Sequence, residues 1–167
     1  MVRIRPELSD DVEGIHAVIE AAFPTNAEAR LVDALRESGS LLISLVAEDQ
    51  GELVGHIAFS PVSLAGATDG LGLAPLAVSP QSQRHGIGAQ LVKAGLAQAS
   101  ESGAGFVVVL GDPAYYSRFG FATASGFGLS DQYNGGTAFQ VIELRLGSIP
   151  KSGGLVEYAP EFALFEA

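Results

Sequence analysis

The stretch from residue 71 to residue 110 restricts the fold more than any other part of the chain. LGLAPLAVSP, residues 71 to 80, has the composition of a strand, and QSQRHGIGAQL then places two glycines at a turn. Leu91, Val92, Leu96 and Ala99 recur at helical spacing as far as Gly103, and FVVVL, residues 106 to 110, is a continuous apolar run of strand length. Parallel strands need a crossover, and the crossover covers the sheet, so an uninterrupted apolar strand after a helix fits a parallel strand buried on both faces. Pro75 cannot donate to a ladder, so the first strand of the unit must be an edge, bulged or distorted there.

The rest of the chain is arranged around this crossover. VRIRP predicts a short first strand. Asp10 with Glu13 has capping-box spacing, and Val12, Ile15, Val18, Ile19 and Ala22 share one helical face as far as Pro24. Thr25 with Glu28 repeats that spacing ahead of Leu31, Val32 and Leu35, and Ser38-Gly39-Ser40 closes the second helix. LLISLVAE and LVGHIAFSPV flank the turn DQGE as a hairpin. Beyond FVVVL, Asp112 is a good N-cap, Pro113 a good first residue and Gly120 a good stop for a helix of about two turns. AFQVIELRL, residues 138 to 146, is the last long strand, and a glycine-rich turn leads from it to a tail. This order predicts one α/β (α+β) domain over residues 1 to 167, with a mixed sheet.

Nine basic against nineteen acidic residues give a net charge of −10, a field that repels nucleic acid and anionic membranes. The same field favours a cationic substrate, and it also serves plain solubility. With no cysteine, the chain has neither disulfides nor thiolate chemistry nor cysteine-based metal sites, and no metal is expected. MVRIRPELSDDVEGI lacks a signal-peptide core, and no segment approaches the ~20 apolar residues of a membrane span, so a cytoplasmic location is expected.

A helix amino terminus presents unpaired backbone N–H groups, and glycines let a phosphate approach them closely. QRHGIGAQL therefore reads as a diphosphate cradle over Gln83, Arg84, His85, Gly86, Ile87, Gly88 and Ala89; Arg84 would add a charge-assisted bond and His85 a weaker one. A glycine-rich turn without a ligand has the same spacing. Neither the dinucleotide fingerprint nor the Gly-Lys-Ser/Thr ending of a triphosphate loop is present.

LAPLAVSPQSQRHGIGAQLV resembles the acetyl-CoA-binding motif of the GNAT-type N-acetyltransferase superfamily, with Gln83, Gly86 and Gly88 at its defining positions. DPAYYSRFGF resembles that superfamily's second signature, with Tyr116 four residues before Gly120-Phe121. GHIAFSPV, VVVLGDPAYYSRFGF and VEYAPEF extend the similarity along nearly the whole chain to the branch called YhbS-like. The resemblance implies a mixed, largely antiparallel sheet of six or seven strands with a splayed central pair, acetyl-CoA as cosubstrate and direct acetyl transfer to a primary amine. It further implies that backbone groups of Leu76, Ala77 and Val78 bind the pantetheine and thioester, and that Tyr116 protonates the departing thiolate.

The general base is open. Many members of the superfamily carry a strand glutamate, whereas LGLAPLAV and FVVVL contain no carboxylate. His56 is either a packed, hydrogen-bonded histidine or the base, and Glu28 is either a capping residue or the base; a water chain could take the proton instead, and an already neutral amine would need little help. Tyr115 and His16 fit packing or surface positions. The acceptor is expected to be a small molecule or a protein amino terminus, and the exposed edge of the last strand would suit a homodimer. The alternatives are a non-catalytic acyl-CoA-binding module of the same fold and a nucleotide-binding protein of another fold.

Overall fold

The structure is a computed structural model that describes residues 1 to 165. Its strands are β1 (Val2–Pro6), β2 (Ile43–Asp49), β3 (Glu52–Pro61), β4 (Gly70–Val78), β5 (Phe106–Leu110), β6 (Ala122–Thr123), β7 (Leu129–Asp131), β8 (Phe139–Glu143) and β9 (Gly154–Val156). Its α-helices are α1 (Val12–Ala22), α2 (Ala27–Ser38), α3 (Ile87–Glu101) and α4 (Pro113–Tyr116). Seven strands form a mixed, mostly antiparallel sheet in the order β1-β2-β3-β4-β5-β8-β6, and β7 and β9 form a separate parallel pair. By compactness the chain divides into one unit of Met1–Phe59, Ala74–Gly95 and the segment from Pro160, and a second of Ser60–Leu73 and Leu96–Ala159.

In the first unit, Ile15, Val18 and Ile19 of α1 and Ala29 and Val32 of α2 pack with Val46, Ala58 and Ala77 of the strands. Gly95 of α3 lies against the Phe59 ring, whose Cε1 is 2.4 Å from where a Cβ would sit. The helix starts differ from the spacing rule. A 3-10 turn, Ser9–Asp11, precedes α1, so its N-cap is Asp11 and not Asp10. Asp11 is held by Arg5 (2.7 and 3.1 Å) and accepts from the Leu8 N–H (2.6 Å). The N-cap of α2 is Asn26, and Thr25 Oγ1 accepts from Ala27 N–H (3.3 Å) instead of forming a box with Glu28.

In the second unit β4 and β5 are parallel, as the crossover requires, but only from Gly70↔Phe106 to Gly72↔Val108. β4 nevertheless continues through Pro75 to Val78. With no β5 partner beyond Gly72, the missing proline N–H removes no bond from that ladder. β8 ends at Glu143, short of the expected Leu146, because Leu144 and Arg145 both turn their N–H groups to the Gly105 carbonyl (2.8 and 3.0 Å). It is also flanked by β5 on one side and β6 on the other. The expectation of an exposed edge on the last long strand is therefore corrected: the outer strands of the sheet are β1 and β6. The tail is structured too, with Leu129↔Gly154 to Asp131↔Val156 in parallel register.

Candidate active site

The glycine motif folds into an exposed loop ahead of α3. Ser79 N–H bonds to Val54 O (2.8 Å), and a 3-10 turn, Pro80–Ser82, leads into Arg84 at φ 68° and Gly86 at φ 80°. Positive φ at two of three residues bends the backbone back on itself, and nothing lies within 4 Å of where a Cβ on Gly86 would sit. Ile87 and Leu91 anchor the first turn of α3 against Gly55, where an added Cβ would meet Leu91 at 3.0 Å and Ile87 at 3.3 Å. Gln90 N–H bonds to Gly86 O (3.1 Å), so Ile87, Gly88 and Ala89 precede the first closed turn and keep their N–H groups for a ligand. Two of the side chains turn inward. Gln83 Nε2 donates to Val78 O (3.0 Å), and His85 Nδ1 lies 3.2 Å from Ser82 O. Both brace the loop, which leaves Arg84 as its exposed cation. On β4, Leu76 and Val78 are half-buried and Ala77 is buried.

His56 is 0% exposed. Its Nε2 lies 2.8 Å from Ser44 Oγ, and Ser44 Oγ donates to Glu7 Oε1 at 2.5 Å. Arg36 completes the chain with two bonds to Glu7 (2.9 and 3.0 Å). Arg36 and Ser44 hold the Glu7 carboxyl below its ordinary value against the opposing effect of burial. Glu7 is therefore an acceptor, Ser44 spends its only proton on it, and His56 must carry its proton on Nε2. Nδ1 is left as a buried acceptor with no hydrogen bond among the described residues. Burial pushes the ring down to about 4, so it stays neutral at physiological pH. Glu28 is half-buried in the first turn of α2, and its Oε1 is buried and accepts no hydrogen bond among the described residues. His16 is paired with Asp33 (2.8 Å).

Tyr116 belongs to the second unit. Asp112 Oδ1 accepts from Ala114 N–H (2.9 Å) to cap α4, which is a single turn and not two; a 3-10 turn to Phe119 and Gly120 at φ 102° finish it. Gly111 is required here, since a Cβ would fall 2.5 Å from Tyr116 Cε2. The Tyr116 ring is 9% exposed, 5.0 Å from Tyr115 and 5.6 Å from Phe121, edge-on to both. Burial, then the neighbouring Tyr115, pushes its phenol up to about 12. Tyr115 is itself stacked under the Arg118 guanidinium at 4.5 Å.

Two groups that the sequence reading passed over lie in the same unit. Asp131 is 6% exposed and accepts from Tyr133 N–H (3.0 Å) and Gly135 N–H (2.8 Å). Asp ahead of Asn-Gly-Gly is an Asx-turn signature that could have marked it. Tyr158 is 6% exposed and lies against Gly72, where a Cβ would be 2.7 Å from its ring. Among the described residues no group of three or more His, Asp or Glu could hold a metal ion, and no helix is long and apolar enough to cross a membrane.

A strand that leaves its parallel neighbour, a glycine loop opening a helix and a buried tyrosine before Gly-Phe are the marks of an acyltransferase fold. Residues 3–124 match the acetyltransferase (GNAT) domain family, and the chain belongs to that family of N-acetyltransferases. It is 44% identical over 165 residues to the uncharacterized N-acetyltransferase YhbS of Escherichia coli K12, across 97% of this chain and 99% of that protein. The crystal structure of E. coli YhbS in complex with CoA matches with a TM-score of 0.93 and 42% identity, over 99% of this chain and 93% of that one. A GNAT acetyltransferase from Brucella melitensis in complex with acetyl-CoA matches with a TM-score of 0.81 and 40% identity, over 97% and 98%.

Proposed function

We propose that the chain acts as a single catalytic domain that transfers the acetyl group of acetyl-CoA directly to a primary amine. β3, β4 and α3 each continue from one compact unit into the other, which supports the single-domain reading. The observation that carries the cosubstrate is the loop before α3: an exposed backbone, an open Gly86 and N–H groups of Ile87, Gly88 and Ala89 directed at no helical acceptor. This donor set suits a diphosphate, and Arg84 adds the cation beside it. The relatives with CoA and acetyl-CoA bound support the same reading.

When bound, acetyl-CoA supplies an activated thioester. In direct transfer the amine nitrogen bonds to the acetyl carbon, the carbon–sulfur bond breaks, the nitrogen loses a proton and the sulfur gains one. Backbone groups at Leu76, Ala77 and Val78 would hold the acyl end, and Tyr116 would hold the proton the sulfur needs. A phenol at about 12 is a weaker acid than an ordinary tyrosine. The same dry surroundings raise the thiol, since burial disfavours both anions. His56 stays neutral, and its Nε2 proton is committed to Ser44, so it fits an acceptor of a hydrogen bond better than a base for an ammonium. Glu28, whose Oε1 is buried and accepts no hydrogen bond among the described residues, is the better placed of the two for that role, and a water chain is the alternative.

Thiol release from acetyl-CoA across a panel of primary amines tests the reading. Release that depends on the amine, with a matching mass increase of one acetyl group, is expected. Stabilisation by CoA with no release on any amine would instead favour the non-catalytic acyl-CoA-binding module.

A further inference from the structure

A cavity of about 410 Å³ lies within the second unit, a size that suits a small molecule. Leu129, Asp131 and Phe139 form its buried floor, and Ser130, Asn134 and Thr137 form an exposed rim. Among the described residues Asp131 makes no ion pair, and no Lys or Arg lines the cavity. The two backbone N–H groups on the Asp131 carboxylate leave lone pairs over on both oxygens. The one formal charge in the lining is thus negative, and the rim consists of hydroxyls and an amide that both donate and accept.

The cavity adjoins the Tyr116 cluster through shared backbone. Phe139 is registered with Leu110, and a Cβ on Gly135 would fall 2.3 Å from the Leu110 side chain. Gly111, on which the Tyr116 ring rests, donates its N–H to Ala138 O (3.0 Å), and Gln140 Nε2 donates to both Gly111 O and Ala138 O (3.2 Å each). Behind Asp131, the Tyr158 ring lies 6.1 Å from that of Tyr133, and the Tyr158 N–H donates to Gln132 Oε1 (2.6 Å).

We propose that this cavity is the acceptor pocket, that it takes a small hydroxylated primary amine such as an amino alcohol or amino sugar, and that Asp131 receives the ammonium. This rests on the acetyl-transfer reading above. An anionic acceptor is disfavoured by Asp131, and a plain alkyl amine gains none of the hydrogen bonds that the polar rim offers.

The test is an amide NMR titration of the CoA-bound full chain with D-glucosamine and with 2-amino-1,3-propanediol, against D-glucose and propan-1-amine as partial mimics. Saturable shifts are expected at residues 129–139 and at Gly111, with the two amino alcohols binding about tenfold more tightly than either mimic. D131N should weaken the amino alcohols by about tenfold and leave CoA affinity unchanged. S130A and T137V change only exposed rim groups and keep the question open to test if D131N does not fold; each should cost about two- to fivefold. Absence of shifts in that segment for both amino alcohols, or wild-type affinity in S130A and T137V, overturns the pocket. The titration reads binding without turnover, so amine-dependent thiol release with no binding there would sink this assignment and leave acetyl transfer standing.

Discussion

The loop at residues 83–89 and the aromatic cluster around Tyr116 present their chemistry in opposite ways. The loop offers backbone N–H groups, and its side chains serve the backbone: Gln83 and His85 bond inward and Ile87 anchors the helix. In the cluster the backbone serves the side chains, with Gly111 vacating the space that the Tyr116 ring fills. A backbone site is damaged by changing conformation and is nearly indifferent to which side chains surround it. A side-chain site can be abolished by deleting one oxygen atom.

The sharpest way to break this contrast is Tyr116→Phe, which keeps the ring contacts and removes the hydroxyl. Turnover should fall by roughly 10² to 10⁴ with CoA affinity unchanged, measured by steady-state kinetics and calorimetry. Tyr115→Phe should stay within about threefold of wild type if general-acid catalysis belongs to Tyr116 alone. Equal, small losses in both would mean that solvent protonates the thiolate.

A second test asks whether a side-chain network can matter in the first unit. The unfolded chain takes up the His56 proton near its ordinary 6.5, the folded protein only near about 4. Between those values the unfolded state binds more protons, so stability falls as pH drops through that window, by about 3 kcal/mol in total. Glu7, with its folded value lowered, adds a loss of the same sign at the acid end. His56→Gln cannot titrate, so its urea midpoints at pH 7 and pH 4.5 should lie closer together than those of wild type. An unchanged gap would remove His56 from the account.

For the loop itself, Gly86→Val puts a β-branched residue at φ 80° and should raise the CoA dissociation constant at least about tenfold, or 1.4 kcal/mol, with the fold retained. Arg84→Ala should have the smallest effect, about threefold or less, because an exposed charge is screened and the backbone donors remain. If Arg84→Ala cost more than Gly86→Val, the loop would be a side-chain site and the contrast would fail.

The same contrast explains what could be read from residues alone. The crossover from residue 71 to 110, the hairpin and the glycine loop were legible because each is a local pattern: a period, a turn, a glycine where φ is positive. The displaced caps at Asp11 and Asn26 were not, since a 3-10 turn in one case and Thr25 in the other alter the count by one residue. β7 and β9 have three residues each, too few for any periodicity to show, and their pairing spans a long stretch of chain. The chain of bonds from His56 through Ser44 and Glu7 to Arg36 joins β3, β2, the loop after β1 and α2, so no spacing announces it. The direction of the Tyr116 shift was also hidden, because burial is a property of the neighbours and not of the motif.

The parallel pairing of Leu129–Asp131 with Gly154–Val156 has a consequence for synthesis. A nascent chain can close the β2–β3 hairpin as soon as those strands are made, but Asp131 cannot gain its strand partner, nor Gly72 its aromatic cover, until residues 154 to 158 have emerged. Ribosome-bound chains halted ahead of residue 154 and clear of the exit tunnel would therefore carry the loop at residues 83–89 complete and the strand partner of Asp131 missing. If the two proposed sites are right, the affinity of these chains for CoA would appear earlier in translation than any competence to hold an amine.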